Sequence, residues 1–204
     1  MRFTRNTLLV RAAVFTAMVG SAALLFGQQP SGKNFSNIQI KNFGQMDERF
    51  YRGAQPKESD YRDLAALGIK TVIDLQDNPT SYEKRDAEAL GMRYINIPMS
   101  DSEYPRAEQI ATFLKLADDP ATGKFFVHCA GGRHRTGVMG AVYRFTHNQW
   151  SFDQAYAEMK QYDFYTRWGH GKLKDYVQDY AQHLPAANQT GAAAAATTAT
   201  KSNK

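Results

Sequence analysis

The sequence predicts an α/β fold with a central, mainly parallel sheet flanked by helices. Two observations carry this. Short apolar, β-branched or aromatic runs alternate with helical segments along the chain, which is the order of a doubly covered sheet. Pro and Gly stand at the joins, where helices start and stop.

Residues 1–29 run from basic Arg2 and Arg5 into the apolar stretch Ala12 to Phe26 and exit at Gly27, the pattern of an export signal. Fifteen residues fall short of the roughly 20 that a spanning helix needs. Cleavage near Gly27 is therefore favoured over an uncleaved N-terminal anchor, and either reading places the body outside the cytoplasm, periplasmic or extracellular. Asn37 to Phe43 and Phe50 to Arg52 read as strand-like segments, and Pro56 as the start of a helix that Gly68 stops. Thr71 to Leu75 is a buried strand. A helix from Ser81 to Leu90 ends at Gly91, and Arg93 to Ile97 is the next strand. Pro105 opens a helix to Ala117 that Asp118-Asp119-Pro120 breaks, and Lys124 to Cys129 is again a strand. Helices follow from Arg135 to Thr146, from a Ser151 cap to Tyr162, and from Trp168 to His183. Past Pro185 the Ala/Thr-rich tail, 186–204, carries too little apolar bulk to order itself.

The domain between the termini, 30–185, has about 155 residues, enough to bury roughly 68–70% of its unfolded surface. The net charge of +5 belongs to the termini: Arg2, Arg5, Arg11, Lys201 and Lys204 account for it, leaving 20 basic against 20 acidic residues in the body. A neutral body argues against nucleic acid as a partner. A membrane enters only if the first segment is retained. One Cys and scattered His residues offer no metal-ligand spacing, so neither a metal nor another cofactor is expected.

In parallel sheets ligands gather beyond the carboxyl ends of the strands. There the strand Phe125 to His128 delivers Cys129, followed by Ala130-Gly131-Gly132-Arg133-His134-Arg135-Thr136-Gly137 and a helix. A short Gly-rich loop lets successive N–H groups turn inward as an anion cradle, reinforced by the helix N-terminus. A thiol at its rim sits in a field that favours the thiolate. Arg135, six positions on, closes the ring with a planar fork that grips two phosphate oxygens. Ala130, Gly131, Gly132, Arg133 and His134 are the other candidates for holding phosphate, and Thr136 is placed to donate to the sulfur.

The pattern H-C-x5-R-T-G resembles the signature of the cysteine-dependent protein tyrosine phosphatase superfamily. Phe50-Tyr51-Arg52-Gly53-Ala54-Gln55-Pro56 and Thr71-Val72-Ile73-Asp74-Leu75 resemble segments of its dual-specificity branch, particularly the atypical plant, fungal and bacterial members. The resemblance covers roughly residues 40–180. It implies a dual-specificity phosphatase-like fold, a thiophosphoryl-enzyme mechanism with Cys129 as nucleophile, and a structural hydrogen bond from His128 that orients the loop. Without the resemblance, the residues give only an anion cradle with a reactive thiol.

Expulsion of an alkoxide or phenoxide needs a carboxylic acid on the same sheet edge. Asp101, 28 positions before Cys129 and after the strand ending at Ile97, is favoured over Asp77 and Glu103. Asp118 and Asp119 lie at the opposite end of the Cys strand and read as a helix stop and turn. Arg133 and His134 read either as solvated loop residues or as two extra basic groups that suit substrates with several phosphates; the candidate substrates are a phosphorylated protein and an inositol phosphate or phosphoinositide. Tyr162, Phe164, Tyr165 and Trp168 read as core or pocket wall. A catalytically silent phosphate-binding module and a sulfur-transfer or arsenate-reducing enzyme are the competing readings; arsenate reduction lacks its resolving cysteines here.

Overall fold

The computed structural model of the protein describes residues 35–184. The expected export segment, 1–29, and the Ala/Thr-rich tail, 186–204, lie outside the described residues. Among the described residues five strands, β1 (Gly44–Gln45), β2 (Phe50–Ala54), β3 (Ile69–Gln76), β4 (Arg93–Met99) and β5 (Lys124–Cys129), form one sheet in the order β1-β2-β5-β3-β4. There β1 and β2 pair antiparallel; the other neighbours are parallel. The helices of the same stretch are α1 (Asp60–Ala66), α2 (Ser81–Ala89), α3 (Ala107–Asp118), α4 (His134–Asn148), α5 (Phe152–Gln161) and α6 (Gly171–Gln182). The α/β reading of the sequence therefore holds, with β5 in the middle.

Strand alternation decides what each face receives. On one face Phe50, Ile73, Leu75, Phe125, Val127 and Cys129 pack against α3 and α4 through Ile110, Phe113, Met139 and Val142. On the other Tyr51, Val72 and Phe126 pack against α1 and α2 through Tyr61, Leu64 and Ala87. A third cluster seats α5 and α6 on the back of α4. That leaves α4 buried from His134 through Phe145. Ser151 caps α5 by accepting from the Gln154 N–H at 3.3 Å, while the Gln154 side chain accepts from the Ser151 N–H at 2.9 Å.

Three elements differ from the sequence expectation. The segment from Asn37 to Phe43 is mostly irregular, and the first strand is Gly44–Gln45; Asn42 has φ 53°, a turn conformation that interrupts a strand. Pro56 precedes α1 rather than opening it, because Asp60 accepts from the Lys57 N–H at 2.8 Å in a turn ahead of the helix. The last helix begins at Gly171, after a turn that leaves Trp168 76% exposed, so Trp168 is neither core nor helix. Asp119 does stop α3: its side chain accepts from the Ala121 N–H in the following 3-10 turn, Pro120–Thr122. Asp118 pairs with His147 at 2.7 Å.

Candidate active site

Cys129 ends β5 and is 3% exposed. The loop after it is shaped from behind. The Ala130 carbonyl accepts from the Gln55 N–H at 3.4 Å, the Gly131 carbonyl from the Asn42 side-chain amide at 2.9 Å, and the Gly132 carbonyl from Arg52 Nη2 at 2.7 Å. In a planar trans peptide the N–H lies opposite the C=O. Three successive carbonyls pulled outward therefore turn the N–H groups of Gly131, Gly132 and Arg133 the other way, into the cradle. Gly132 is required: its φ is +65°, and a Cβ there would lie 2.4 Å from the Gly53 carbonyl carbon. Helix α4 starts two residues later, so its N-terminus adds to the same field.

Arg135 is buried. Its Nη1 donates to Asp77 Oδ1 at 3.0 Å and to the Met99 carbonyl at 3.2 Å, while its buried Nε has no partner among the described residues. The Thr136 hydroxyl is also buried and makes no hydrogen bond there, to Cys129 or to any other group.

His128 points to the opposite face of the sheet. Its Nε2 lies 3.0 Å from Glu83 Oε2, outside the angular range of a good hydrogen bond, and its Nδ1 lies 3.8 Å from Asp74 Oδ1. Asp74 accepts from the Gln76 N–H at 2.8 Å and from Tyr94 Oη at 2.7 Å. Glu83 accepts from Tyr61 Oη at 2.8 Å and from Thr80 Oγ1 at 2.9 Å. Burial pushes the Asp74 carboxyl up, and the nearby imidazole and its two donors only partly offset this. Burial also acts on Glu83, but His128 and the Tyr61 and Thr80 hydroxyls outweigh it and hold the carboxyl below its usual value. Donor atoms of Asp74, Glu83 and His128 lie within 4.8 Å of one another, a spacing that can hold a metal ion. Both carboxylates are, however, already engaged by hydroxyl and amide donors, and the group reads as a support beneath the end of the strand, with the two His128 ring nitrogens close to the carboxylates but outside hydrogen-bond geometry.

The loop between α5 and α6 joins the cradle to the Asp101 loop. The His134 ring is turned away from the cradle: it stacks on His170 with centroids 3.7 Å apart, and its Nε2 donates to the Tyr165 carbonyl at 3.1 Å. His170 Nδ1 donates to the Asp101 carbonyl at 2.7 Å. Desolvation, and then His170, lower the His134 pKa to about 4. Arg133 and Arg167 both lie over the Tyr165 ring, at 5.5 and 5.7 Å, and Arg167 also over Trp168 at 4.7 Å. Phe164 is core, as expected, and Tyr162 lies under Arg52, 3.9 Å from the guanidinium carbon to the ring centroid.

The three carboxylates considered from sequence occupy different settings. Asp77 is bonded to Arg135, and Glu103 to Lys172 at 2.7 Å; Asp101 is exposed and pairs with no cation among the described residues. Sequence reasoning missed Asn42, Arg52 and Gln55 as tethers, Asp74 and Glu83 around His128, and His170 on the Asp101 loop. Only Gln55 and Arg52 left a signal, as polar residues in the Phe50–Pro56 segment beside a buried strand.

Comparison with known proteins agrees with this geometry. A family model described as "DSP-PTPase phosphatase fused to NAD+ Kinase" matches residues 32–173. The dual specificity protein phosphatase TpbA of Pseudomonas aeruginosa is 29% identical over 127 residues, 60% of this chain and 55% of that protein, so the chain spans about half the length of this relative. The core catalytic domain of the PP-IP phosphatase SIW14 from S. cerevisiae, solved with citrate, shares the fold with TM-score 0.63 and 19% identity, over 72% of this chain and 89% of that one. A cysteine-to-serine variant of P. aeruginosa TpbA, solved in complex with pTyr, superimposes with TM-score 0.55 and 22% identity, over 74% and 90%. With the family match spanning the sheet, the cradle and the helices α1 to α5, the chain belongs to the DSP-PTPase phosphatase family.

Proposed function

We propose that the protein hydrolyses phosphomonoesters through a thiophosphoryl-cysteine, with Cys129 as nucleophile, Arg135 and the loop amides as the clamp, and Asp101 as acid and then base. The observation that carries it is the outward tethering of three consecutive carbonyls behind a buried thiol. That arrangement fixes the donors before substrate arrives, so they need no reorganisation as charge builds on phosphorus. The sulfur forms a bond to phosphorus as the ester P–O bond breaks, and Asp101 gives its proton to the departing oxygen. Asp101 then takes a proton from water, which attacks phosphorus and releases Cys129 and inorganic phosphate. The unmet Arg135 Nε is a donor that a phosphoryl oxygen satisfies. Asp101 is preferred because Asp77 and Glu103 are committed to ion pairs. His170 fixes its backbone.

For substrate, we favour a compact molecule with more than one phosphoryl group, an inositol phosphate rather than a phosphoprotein. Arg133 and Arg167 converge on Tyr165 beside the cradle, and neither pairs with a carboxylate among the described residues. A phosphate-release panel over inositol phosphates and phosphotyrosyl, phosphoseryl and phosphothreonyl peptides, with Cys129→Ser and Asp101→Asn as controls, tests this. Cys129→Ser abolishes turnover, a loss of at least about a thousandfold. Asp101→Asn costs roughly 10²–10⁴ on poor leaving groups, and a full rate there removes Asp101 from the mechanism. Preference for a phosphopeptide removes the substrate assignment. Residues 1–29 support a site of action outside the cytoplasm, which cell fractionation checks.

A further inference from the structure

Beneath the cradle lies a charge that the proposed mechanism does not use. Arg52 is 1% exposed, and no carboxylate among the described residues forms an ion pair with it. The strand register places it on the Cys129 face: Arg52 is opposite Val127, and Ala54 is opposite Cys129. Its guanidinium lies between the sheet and α4, with Nη1 3.4 Å from where a Cβ on Gly140 would be. Nη2 donates to the Gly132 carbonyl, while Nε is buried without a partner among the described residues. The other charged groups around it are already engaged. Glu158 is held by Arg144 through two bonds of 2.6 and 3.0 Å, and Tyr162 offers the face of its ring.

A cation removed from water without a counter-ion is costly unless an opposite charge enters the same pocket. Glu158 also acts on this charge but is itself bound by Arg144, so the group on this face left to serve as counter-ion is the Cys129 sulfur. We propose that Arg52 is a positioning residue with two linked tasks: it fixes Gly132 so that the loop amides face inward, and its buried charge holds Cys129 as the thiolate. This rests on Cys129 being the nucleophile. Burial lowers the Arg52 pKa to about 10, and the charges of Tyr162, Glu158 and Cys129 oppose that fall while Arg144 adds to it; the group therefore stays cationic at neutral pH. The remaining charged groups facing the sulfur's surroundings are Arg135 with its partner Asp77, and Arg133 at the start of α4. His128, Asp74 and Glu83 lie across the sheet.

The test is the pH dependence of Cys129 alkylation by iodoacetamide in the full chain, for wild type, Arg52→Lys, Arg52→Gln and Arg52→Met. Removal of the charge in Gln and Met moves the onset of alkylation upward by about one pH unit or more, with turnover at neutral pH falling in parallel. Arg52→Lys keeps the onset within a few tenths of a unit of wild type, although it loses the forked contact with Gly132. Gln retains a donor for Gly132 and so separates charge from strut. Onsets that coincide for Lys and Gln overturn the proposal. If neither neutral variant folds, Lys decides alone: an onset near that of wild type supports the assignment, and an onset displaced by a full unit overturns it. Failure of the underlying reading shows separately, as undiminished turnover in Cys129→Ser.

Discussion

Two consecutive residues at the end of β5 live in opposite electrostatic worlds. Cys129 faces α4, where Arg52 and Arg135 bring positive charge and the helix presents its N-terminus. His128 faces α2, where Asp74 and Glu83 bring carboxylates to within 3.0–3.8 Å. The period of two along a strand, which ordinarily sorts apolar from polar side chains, here sorts the sign of charge. The sheet keeps the anionic cluster off the sulfur while the backbone joins the two. The cationic face is open to phosphate chemistry, and the anionic face is closed and internally hydrogen-bonded. We read the first as reactive and the second as a footing that fixes where the strand ends.

The sharpest way to break this division is to deform the cationic face without touching a charge. Gly132→Ala places a methyl against the Gly53–Ala54 backbone at a φ of +65°. The loop must shift, the inward amides lose alignment, and turnover falls about 10²–10³-fold, as for loss of a preorganised oxyanion donor. Phosphate-release kinetics beside vanadate binding measure it. An alanine variant that keeps wild-type turnover and vanadate affinity shows that the tethered geometry is not what builds the cradle.

The next largest effect belongs to the anionic face and is read in stability. Glu83→Gln removes the carboxylate that accepts from the buried Tyr61 and Thr80 hydroxyls beside His128 and costs about 1–3 kcal/mol of stability, the usual loss when buried donors lose their acceptor. Asp74→Asn costs less, because burial already drives Asp74 toward its neutral form. The pH signs differ. Glu83, held low, contributes stability that is present above its unfolded pKa and lost as pH falls through the lowered folded value. Asp74, held high, contributes stability below its unfolded pKa that fades as pH rises through the folded one. Urea denaturation of the two variants at several pH values resolves both. If Glu83→Gln displaces the onset of Cys129 alkylation as far as Arg52→Met does, the sheet does not insulate the two faces.

What was legible in the sequence was local. The strand Lys124 to Cys129 appears with the predicted bounds, because a continuous apolar run ending in Gly-rich chain has few alternatives. The Ser151 cap likewise follows from residues three apart. What the tethers hold was not legible: Arg52 stands out as a polar residue in its strand, but Asn42 and Arg52 meet the loop across 89 and 80 residues, and nothing beside either names the carbonyl it binds. Asn42 shows what local reading loses: the same residue that interrupts the expected Asn37 to Phe43 strand with its φ of 53° carries the amide that turns Gly131. Pro56 misled for a similar reason, since the Lys57–Asp60 turn delays the helix. His134, grouped with the phosphate-holding residues by position, instead commits its ring to His170 and Tyr165.

The smallest effect concerns that His134–His170 stack, which lies on the reactive side but behaves like the footing. The folded protein holds His134 near a pKa of about 4, against 6.5 for the free group. Between those values the unfolded chain binds a proton that the folded one refuses, so stability falls as pH drops from about 6.5 to about 4, with a limiting slope of about 1.4 kcal/mol per pH unit for one proton. His134→Gln removes this contribution and flattens the acid limb of the melting temperature plotted against pH. Protonation also puts a charge on the His134 ring that is stacked against His170, which loosens His170 from the Asp101 carbonyl. On a poor leaving group, wild-type turnover therefore declines on the acid side faster than on p-nitrophenyl phosphate, whose departing oxygen needs little help from an acid. An acid limb that is equally steep in His134→Gln assigns the proton to another group and detaches the Asp101 loop from this stack.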